Sequence, residues 1–162
     1  MRIFYFFVLL FFAWNSGFAN ELKLTTNPDA VCNNGEQATF TIKKAKSKKW
    51  AIILPGGGVA RNADEYKSRS EGMKSPELKP HYFGQAIEKD VEDKNYNMVF
   101  IPYCSSDLYQ GNHFNIVDGK EIPFKGRVIV NDVLDQLNEQ LKEADEIIFL
   151  GYSAGAIGIG FH

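Results

Sequence analysis

The chain has 162 residues, 44% of them hydrophobic, with 18 Lys and Arg against 20 Asp and Glu and a formal net charge of −2. This balance lacks the excess of basic residues that is typical of nucleic-acid-binding proteins. The hydrophobic content excludes a chain that is disordered throughout. The length suits one domain with a sizeable core and does not suggest two.

The first 19 residues have the three-part pattern of a secretory signal peptide. Met1 and Arg2 are followed by an apolar run from Ile3 to Trp14, and small residues precede a cleavage point after Ala19. A run of about 12 apolar residues is too short to span a bilayer, and no later segment is long enough to do so. We therefore predict a signal peptide at residues 1–19 and a secreted or periplasmic protein without a membrane span.

Two cysteines remain after the signal, Cys32 and Cys104. In an oxidising compartment an even number favours a disulfide between them, the alternative being two separate buried thiols. The chain has no C-x-x-C or H-E-x-x-H motif, and His81, His113 and His162 stand far apart. We therefore expect no metal site and no other cofactor.

Short apolar runs bounded by turn residues predict the strands of a parallel sheet. The three predicted buried strands are Trp50–Leu54, Met98–Pro102 and Glu146–Leu150. Ahead of them, Thr39–Lys43 alternates as a half-buried strand does, and the polar stretch 44–49 predicts a turn.

Helices are predicted between these strands. Residues 61–80 are charged and irregular, typical of an exposed loop with a short helix, and Phe83–Val91 predicts a helix. Apolar residues spaced by three and four from Val130 to Ala144 predict an amphipathic helix with Asp132 on its solvent-facing side. Strands that alternate with helices predict an α/β fold, a parallel sheet with flanking helices.

Gly151-Tyr152-Ser153-Ala154-Gly155 directly follows the third strand and matches the nucleophile-elbow pattern G-x-S-x-G. Such a turn holds the serine in a strained backbone conformation, while the flanking glycines let strand and helix pass closely. The hydroxyl then stands at the carboxyl end of the sheet. The sequence therefore predicts Ser153 as a nucleophile.

A second glycine motif, Gly56-Gly57-Gly58, follows the first buried strand. Acyl transfer needs backbone N–H groups aimed at the carbonyl oxygen as it becomes an oxyanion, and glycine allows such close approach. The amide after the nucleophile, that of Ala154, would supply another donor. A phosphate-binding loop is one alternative, but the Lys-Ser/Thr that should follow such a loop is missing here. A plain turn is the other alternative.

Five segments in one order resemble the pectin acetylesterase family, which includes the Notum carboxylesterases. They are Cys32–Gly35, Trp50–Gly58, Asn97–Asp107, Phe124–Arg127 and Gly151–Gly155. The resemblance implies an α/β-hydrolase that removes acyl groups from esters, acetyl from pectin or a fatty acyl group from a protein. It also implies Ser153 as nucleophile, with the amides of Gly57, Gly58 and Ala154 as the oxyanion hole.

Three residues depart from the family's pattern. The family usually reads Leu-Glu-Gly-Gly with Trp and Cys close behind, where this chain has Pro55, Val59 and Ala60. A family cysteine is thus missing at Ala60, and the pocket wall that Trp would form is smaller.

A serine nucleophile needs a histidine base and an acid that follow it in this fold. His162, nine residues after Ser153, is too far along the predicted helix to reach it. For Ser106 and Asp107, at a strand's carboxyl end, an active-site wall and a capped turn are both open. We therefore expect residues 20–162 to be the amino-terminal part of an α/β-hydrolase domain, truncated after the elbow. The alternative is a non-catalytic remnant, such as a glycan-binding module, that lacks the acid and base.

Overall fold

The computed structural model describes residues 20–69 and 85–162, and the predictions for residues 1–19 and 70–84 lie outside that part. The strands are β1 (Asn20–Leu24), β2 (Thr39–Lys43), β3 (Lys49–Leu54), β4 (Asn97–Phe100), β5 (His113–Val117), β6 (Lys120–Phe124) and β7 (Glu146–Gly151). The helices are α1 (Ala63–Lys67), α2 (Gln85–Asp93), α3 (Gly126–Gln136), α4 (Asn138–Lys142) and α5 (Ala154–Ile159). None of the helices in these ranges is long and apolar enough to cross a bilayer.

Five strands form one mixed sheet in the order β1-β2-β4-β3-β7, and β5 pairs with β6 in a separate hairpin. Strands β4, β3 and β7 are parallel, whereas β1 and β2 run antiparallel at one edge. The predicted α/β fold is therefore confirmed, with the two leading strands making the sheet mixed. Leu54, the last residue of β3, lies opposite Gly151, the last residue of β7. The loops that follow these two strands consequently start side by side.

The central strand β3 is the most buried, from Trp50 to Leu54. Strand β7, predicted as a buried strand, is less covered: Glu146 and Ile147 are exposed and the rest is half-buried. Within the described residues β7 has a hydrogen-bonded neighbour only in β3, so one of its edges is open. The prediction of a strand is confirmed, and the prediction that it is buried is wrong for this part of the chain.

The helix predicted from Val130 to Ala144 is two helices. It begins earlier, at Gly126, and breaks at Leu137, where φ is −101° and ψ is 0°. The predicted apolar face is confirmed, since Val130, Val133 and Leu137 are buried in the main core.

Asp132 was expected to face solvent, and that prediction is wrong, since only 7% of the residue is exposed. Its carboxylate accepts hydrogen bonds from the backbone N–H groups of Thr26 and Asn27, both at 2.8 Å. The Thr26 hydroxyl and the Gln136 amide donate to it as well, at 2.9 and 2.8 Å. Asp132 thus ties the turn after β1 to helix α3.

This carboxylate makes stability depend on pH. Burial by itself raises the pKa of Asp132, but the donors from Thr26, Gln136 and Asn27 outweigh it and lower the pKa below its ordinary value. A lowered native pKa stabilises the fold above the unfolded-state pKa, about 3.9 for Asp, and that stabilisation is lost as pH falls through the native pKa. We expect Asp132→Asn to lower the free energy of unfolding at neutral pH by about 1–3 kcal/mol, because Asn offers one acceptor where two are used.

The measurement is urea unfolding of both proteins at neutral pH and in steps below about pH 4. The difference between wild type and Asp132→Asn should shrink as the pH falls. A difference that stays constant down to the lowest pH would contradict the assigned pKa shift.

Cys32 and Cys104 form a disulfide, with their Cα atoms 5.0 Å apart, so the predicted pairing is confirmed. Both residues are buried in the main core. The bond joins the segment between β1 and β2 to the loop after β4, and the Asn33 N–H donates to the Cys104 carbonyl beside it at 2.9 Å. The disulfide is consistent with an oxidising compartment.

The double variant Cys32→Ala/Cys104→Ala should lose about 2–5 kcal/mol of unfolding free energy, because the bond closes a long loop in the unfolded chain. Urea unfolding with and without reductant measures this. Reductant should destabilise the wild type toward the variant and leave the variant unchanged. Equal stability of the two proteins without reductant would contradict the prediction.

Candidate active site

Ser153 lies in a sharp turn between β7 and α5. Its backbone has φ 51° and ψ −116°, in the left-handed half of conformational space that residues with a Cβ rarely occupy. Such a conformation costs of order 1–3 kcal/mol and persists only where the surroundings hold it. The strained turn predicted by the G-x-S-x-G motif is therefore present.

The two glycines of the motif are required by close packing. A Cβ on Gly155 would lie 1.8 Å from the Leu54 carbonyl oxygen, so α5 rests directly on the end of β3. A Cβ on Gly151 would lie 2.6 Å from the backbone nitrogen of Ala156. Glycine at these two positions therefore allows β7, the turn and α5 to pack closely around Ser153.

Replacing Gly155 with Ala should destabilise the fold by about 3 kcal/mol or more, because the new methyl group meets backbone that cannot rotate away. Gly160→Ala is the matched control, since its backbone is ordinary (φ −65°) and its Cβ would lie 3.3 Å from the nearest atom. Thermal unfolding of the two variants compares them directly. Equal melting temperatures would show that α5 does not rest on β3 as described.

The second glycine motif lies against the elbow, as expected from the aligned ends of β3 and β7. A Cβ on Gly56 would lie 3.0 Å from the Cβ of Ser153 and 2.9 Å from the Tyr152 carbonyl oxygen. Ser153 is exposed. Within residues 20–69 and 85–162, its hydroxyl donates no hydrogen bond. The two motifs singled out from the sequence therefore form one surface.

The backbone amides of this surface are available as donors. The N–H groups of Gly57, Gly58 and Ala154 donate to no other group in the described part of the chain. Gly57 is exposed and Gly58 half-buried, with Gly58 at a φ of +76° that favours glycine. Unpaired N–H groups beside an exposed serine hydroxyl are suited to binding a negatively charged oxygen.

Two side chains pack against the glycine turn. A Cβ on Gly57 would lie 2.1 Å from the ring of Tyr103, and one on Gly58 would lie 1.9 Å from the guanidinium of Arg69. Tyr103 donates its hydroxyl proton to the Gly58 carbonyl oxygen at 2.6 Å, and Arg69 donates to that of Gly57. The glycines therefore admit these two side chains as close neighbours, a role that the sequence did not reveal. The one sequence signal for this role was that Tyr103 lies in Asn97–Asp107, a segment that resembles the pectin acetylesterase family.

Tyr103 is held by a second tyrosine. Its ring lies 4.7 Å from that of Tyr109, centroid to centroid. The Tyr109 hydroxyl lies 3.1 Å from the Pro55 carbonyl oxygen and 3.2 Å from that of Ile101. Burial raises the pKa of Tyr103 and of Tyr109 above the ordinary tyrosine value, so both remain neutral hydroxyl donors at physiological pH.

Asp107 is the centre of a capped turn, the second of the two alternatives left open by the sequence. Its carboxylate accepts from the Ser105 hydroxyl at 2.6 Å and from the N–H groups of Tyr109, Gly111 and Gly126 at 3.0, 3.1 and 2.7 Å. Burial raises the pKa of Asp107, and these four donors oppose that rise. The hydrogen bonds of this carboxylate all serve the loop and the start of α3, and the Asp107 backbone forms an isolated β-bridge with Val59, directly after the glycine turn.

Ser106, the other residue at this strand end, is also structural. It is fully buried, and its hydroxyl donates to the Asn33 side-chain oxygen at 2.6 Å. Asn33 in turn donates to the carbonyl oxygens of Ser105 and Pro123, at 3.0 and 2.6 Å. The buried network fixes the loop beside the disulfide.

No histidine lies at Ser153 among the described residues. His113 is exposed on β5 and stacks on Phe124 with ring centroids 5.7 Å apart. His162 follows the end of α5 and places its Nε2 3.0 Å from the Tyr109 carbonyl oxygen, so it is a structural residue, as expected, but not part of the helix. His81 lies outside the described residues. The structure thus places the Gly56–Gly58 turn beside Ser153, and its described part places no histidine there.

The pectinacetylesterase family model matches residues 16–162, nearly the whole chain. The chain belongs to the pectinacetylesterase family. Among curated proteins it is similar to palmitoleoyl-protein carboxylesterase notum1a of Danio rerio, 34% identical over 150 residues that cover 86% of this chain and 30% of that protein. The corresponding carboxylesterase NOTUM of Mus musculus is 33% identical with the same coverage.

One similar protein is named as inactive. The inactive palmitoleoyl-protein carboxylesterase notum1b of Danio rerio is 32% identical over 102 residues, 57% of this chain and 73% of that protein. The family resemblance predicted from the sequence is confirmed, and its members include carboxylesterases. The chain spans about 30% of the length of the first two relatives.

Proposed function

We propose that this protein is a serine carboxylesterase that removes acyl groups, acetyl in the first instance, from esters such as acetylated pectin or another polysaccharide. One observation carries the proposal. Ser153 stands exposed on a strained elbow directly beside the Gly56–Gly58 turn, in a member of an esterase family. The pairing of a nucleophile with free backbone amides is what acyl transfer requires.

The proposed reaction has two steps. Ser153 Oγ attacks the acyl carbonyl carbon and loses its proton to a base, while the carbonyl oxygen becomes negative and is bound by the amides of Gly57, Gly58 and Ala154. The ester C–O bond then breaks, and the alcohol leaves with a proton. Water attacks the acyl-serine in the same way, which releases the carboxylic acid and restores Ser153. The base and its orienting acid come from outside the described residues in this proposal, and no cofactor takes part.

The proposed compartment is the cell exterior or the periplasm. The predicted signal peptide at residues 1–19 and the buried disulfide between Cys32 and Cys104 support it.

The acetyl preference rests on the small residues beside the glycine turn. Val59 and Ala60 stand where the family's larger Trp and its Cys usually stand, and both are half-buried next to the turn. The curated relatives are named for a palmitoleoyl-protein substrate, whereas the family name denotes acetyl groups on pectin. Comparing hydrolysis of acetyl and long-chain acyl esters decides between the two.

Ser153→Ala should abolish ester hydrolysis, with a loss of at least about 10³-fold in kcat, because no other group can form the acyl-enzyme. The assay uses the complete mature protein as its native host secretes it, with 4-nitrophenyl acetate and acetylated pectin as substrates. Ser47→Ala is the matched control, since Ser47 lies in the turn before β3, at the opposite end of that strand. Unchanged turnover in Ser153→Ala would contradict the proposal.

The existence of an inactive relative favours a second candidate, a family member that binds acylated polysaccharide without cleaving it. It predicts saturable binding of acetylated pectin by wild type with no release of acetate. Release of acetate that Ser153→Ala abolishes would contradict this candidate.

A further inference from the structure

The carbonyl groups on either side of Gly58 are each taken by a different side chain. Arg69 donates to the Gly57 carbonyl oxygen, and the Tyr103 hydroxyl donates to the Gly58 carbonyl oxygen at 2.6 Å. These carbonyls belong to consecutive peptide units, Gly57–Gly58 and Gly58–Val59. Two adjacent peptide planes are therefore fixed by contacts from outside the turn.

Fixing a carbonyl also fixes an amide. In a trans peptide unit the C=O and the following N–H point in opposite directions across a rigid plane, and the structure has no cis peptide in its described part. The N–H of Gly58 is therefore directed away from Arg69, and the N–H of Val59 away from the Tyr103 hydroxyl. Glycine at φ +76° would otherwise rotate easily, since it meets no Cβ barrier.

Tyr103 is a rigid donor. Its hydroxyl accepts the Leu108 N–H at 2.8 Å while it donates to Gly58, and its ring rests on Tyr109. The next residue, Cys104, is anchored by the disulfide to Cys32. A donor with so little freedom can hold a carbonyl in one orientation throughout a reaction.

We propose that Arg69 and Tyr103 are positioning residues that preorganise the Gly58 amide for the oxyanion formed when Ser153 is acylated. Arg69 holds the peptide plane that carries the Gly58 N–H, and Tyr103 holds the next plane, so that Gly58 cannot rotate about its own backbone bonds. The inference rests on the proposed function and assigns these side chains a part in the rate of acyl transfer. They act through the backbone and need not touch the substrate.

The alternative is that Tyr103 only contributes to packing, and a matched pair of variants separates the two. Tyr103→Phe keeps the ring against Gly57 and removes the hydroxyl that holds the Gly58 carbonyl. Tyr96→Phe is the control: it removes the hydroxyl of another buried tyrosine, which is hydrogen-bonded to Glu146 at the opposite end of the sheet. Melting temperatures of both variants measure any loss of stability.

The experiment measures two rates on the complete mature protein. One is covalent labelling of Ser153 by a fluorophosphonate, in which the Oγ–P bond forms, the P–F bond breaks, fluoride leaves and the serine proton goes to the base. The other is 4-nitrophenyl acetate hydrolysis, resolved into kcat and KM. Both pass through a negatively charged oxygen that the turn would bind, so labelling tests the turn even if the natural ester is another one.

Tyr103→Phe should slow labelling and lower kcat by about tenfold with KM nearly unchanged, less than the 10²–10³ typical for deleting an oxyanion donor itself. Arg69→Met should act in the same direction, and Tyr96→Phe should keep both rates within about twofold of wild type. Equal slowing by Tyr103→Phe and Tyr96→Phe, or wild-type rates in Tyr103→Phe, would overturn the inference while leaving the esterase proposal intact. A wild type that neither labels nor hydrolyses, or a Ser153→Ala variant that still does, would instead overturn the proposed function.

Discussion

The site depends on the parallel pairing of β3 with β7. Six consecutive residue pairs hold the two strands in register, and the pairing ends with Leu54 opposite Gly151. Because a parallel pair delivers both carboxyl ends to the same edge, the Gly56–Gly58 turn and the Ser153 elbow emerge side by side. A shift of one residue in this register would move every side chain of β7 to the other face and separate the two turns.

The contact between Gly155 and Leu54 adds a second constraint to this register. Helix α5 starts where the elbow ends and lies on the end of β3, at a distance that only glycine permits. Close packing on both sides of the turn thus stabilises the strained backbone of Ser153: Gly151 packs against the start of α5, and Gly56 packs against Tyr152 and Ser153. A strained serine therefore persists without a hydrogen bond from its own hydroxyl in the described part of the chain.

The sequence predicted the elements that follow simple patterns. The parallel strands and the two glycine turns were predicted from apolar runs and from breakers directly after them. Because strand ends in a parallel sheet meet at one edge, the structure brings these two turns together. The apolar face of α3 came from periodicity, but periodicity also placed Asp132 on the solvent side. It could not show that the turn at Thr26 and Asn27, distant in sequence, covers that side and presents two N–H groups to the carboxylate.

The conformation of the loop after β4 could not be predicted from such patterns either. Its conformation includes left-handed backbone at Ser106, Leu108 and Tyr109 and is set by contacts to Asn33, Gly111 and Gly126 that have no periodic signature. Tyr103, which contacts the glycine turn, is placed by this loop. The sequence predicted Ser153 as a nucleophile from its own motif, whereas the side chains that contact the neighbouring glycine turn come from residues distant in the sequence.

Cys104 directly follows Tyr103, so the disulfide restrains the segment that carries the tyrosine in contact with the glycine turn. In a cell compartment that keeps thiols reduced, the loop after β4 loses its covalent link to the segment at Cys32, and the tyrosine loses the restraint on its neighbour. Formation of the disulfide therefore removes conformational freedom from the segment that places Tyr103 against the glycine turn.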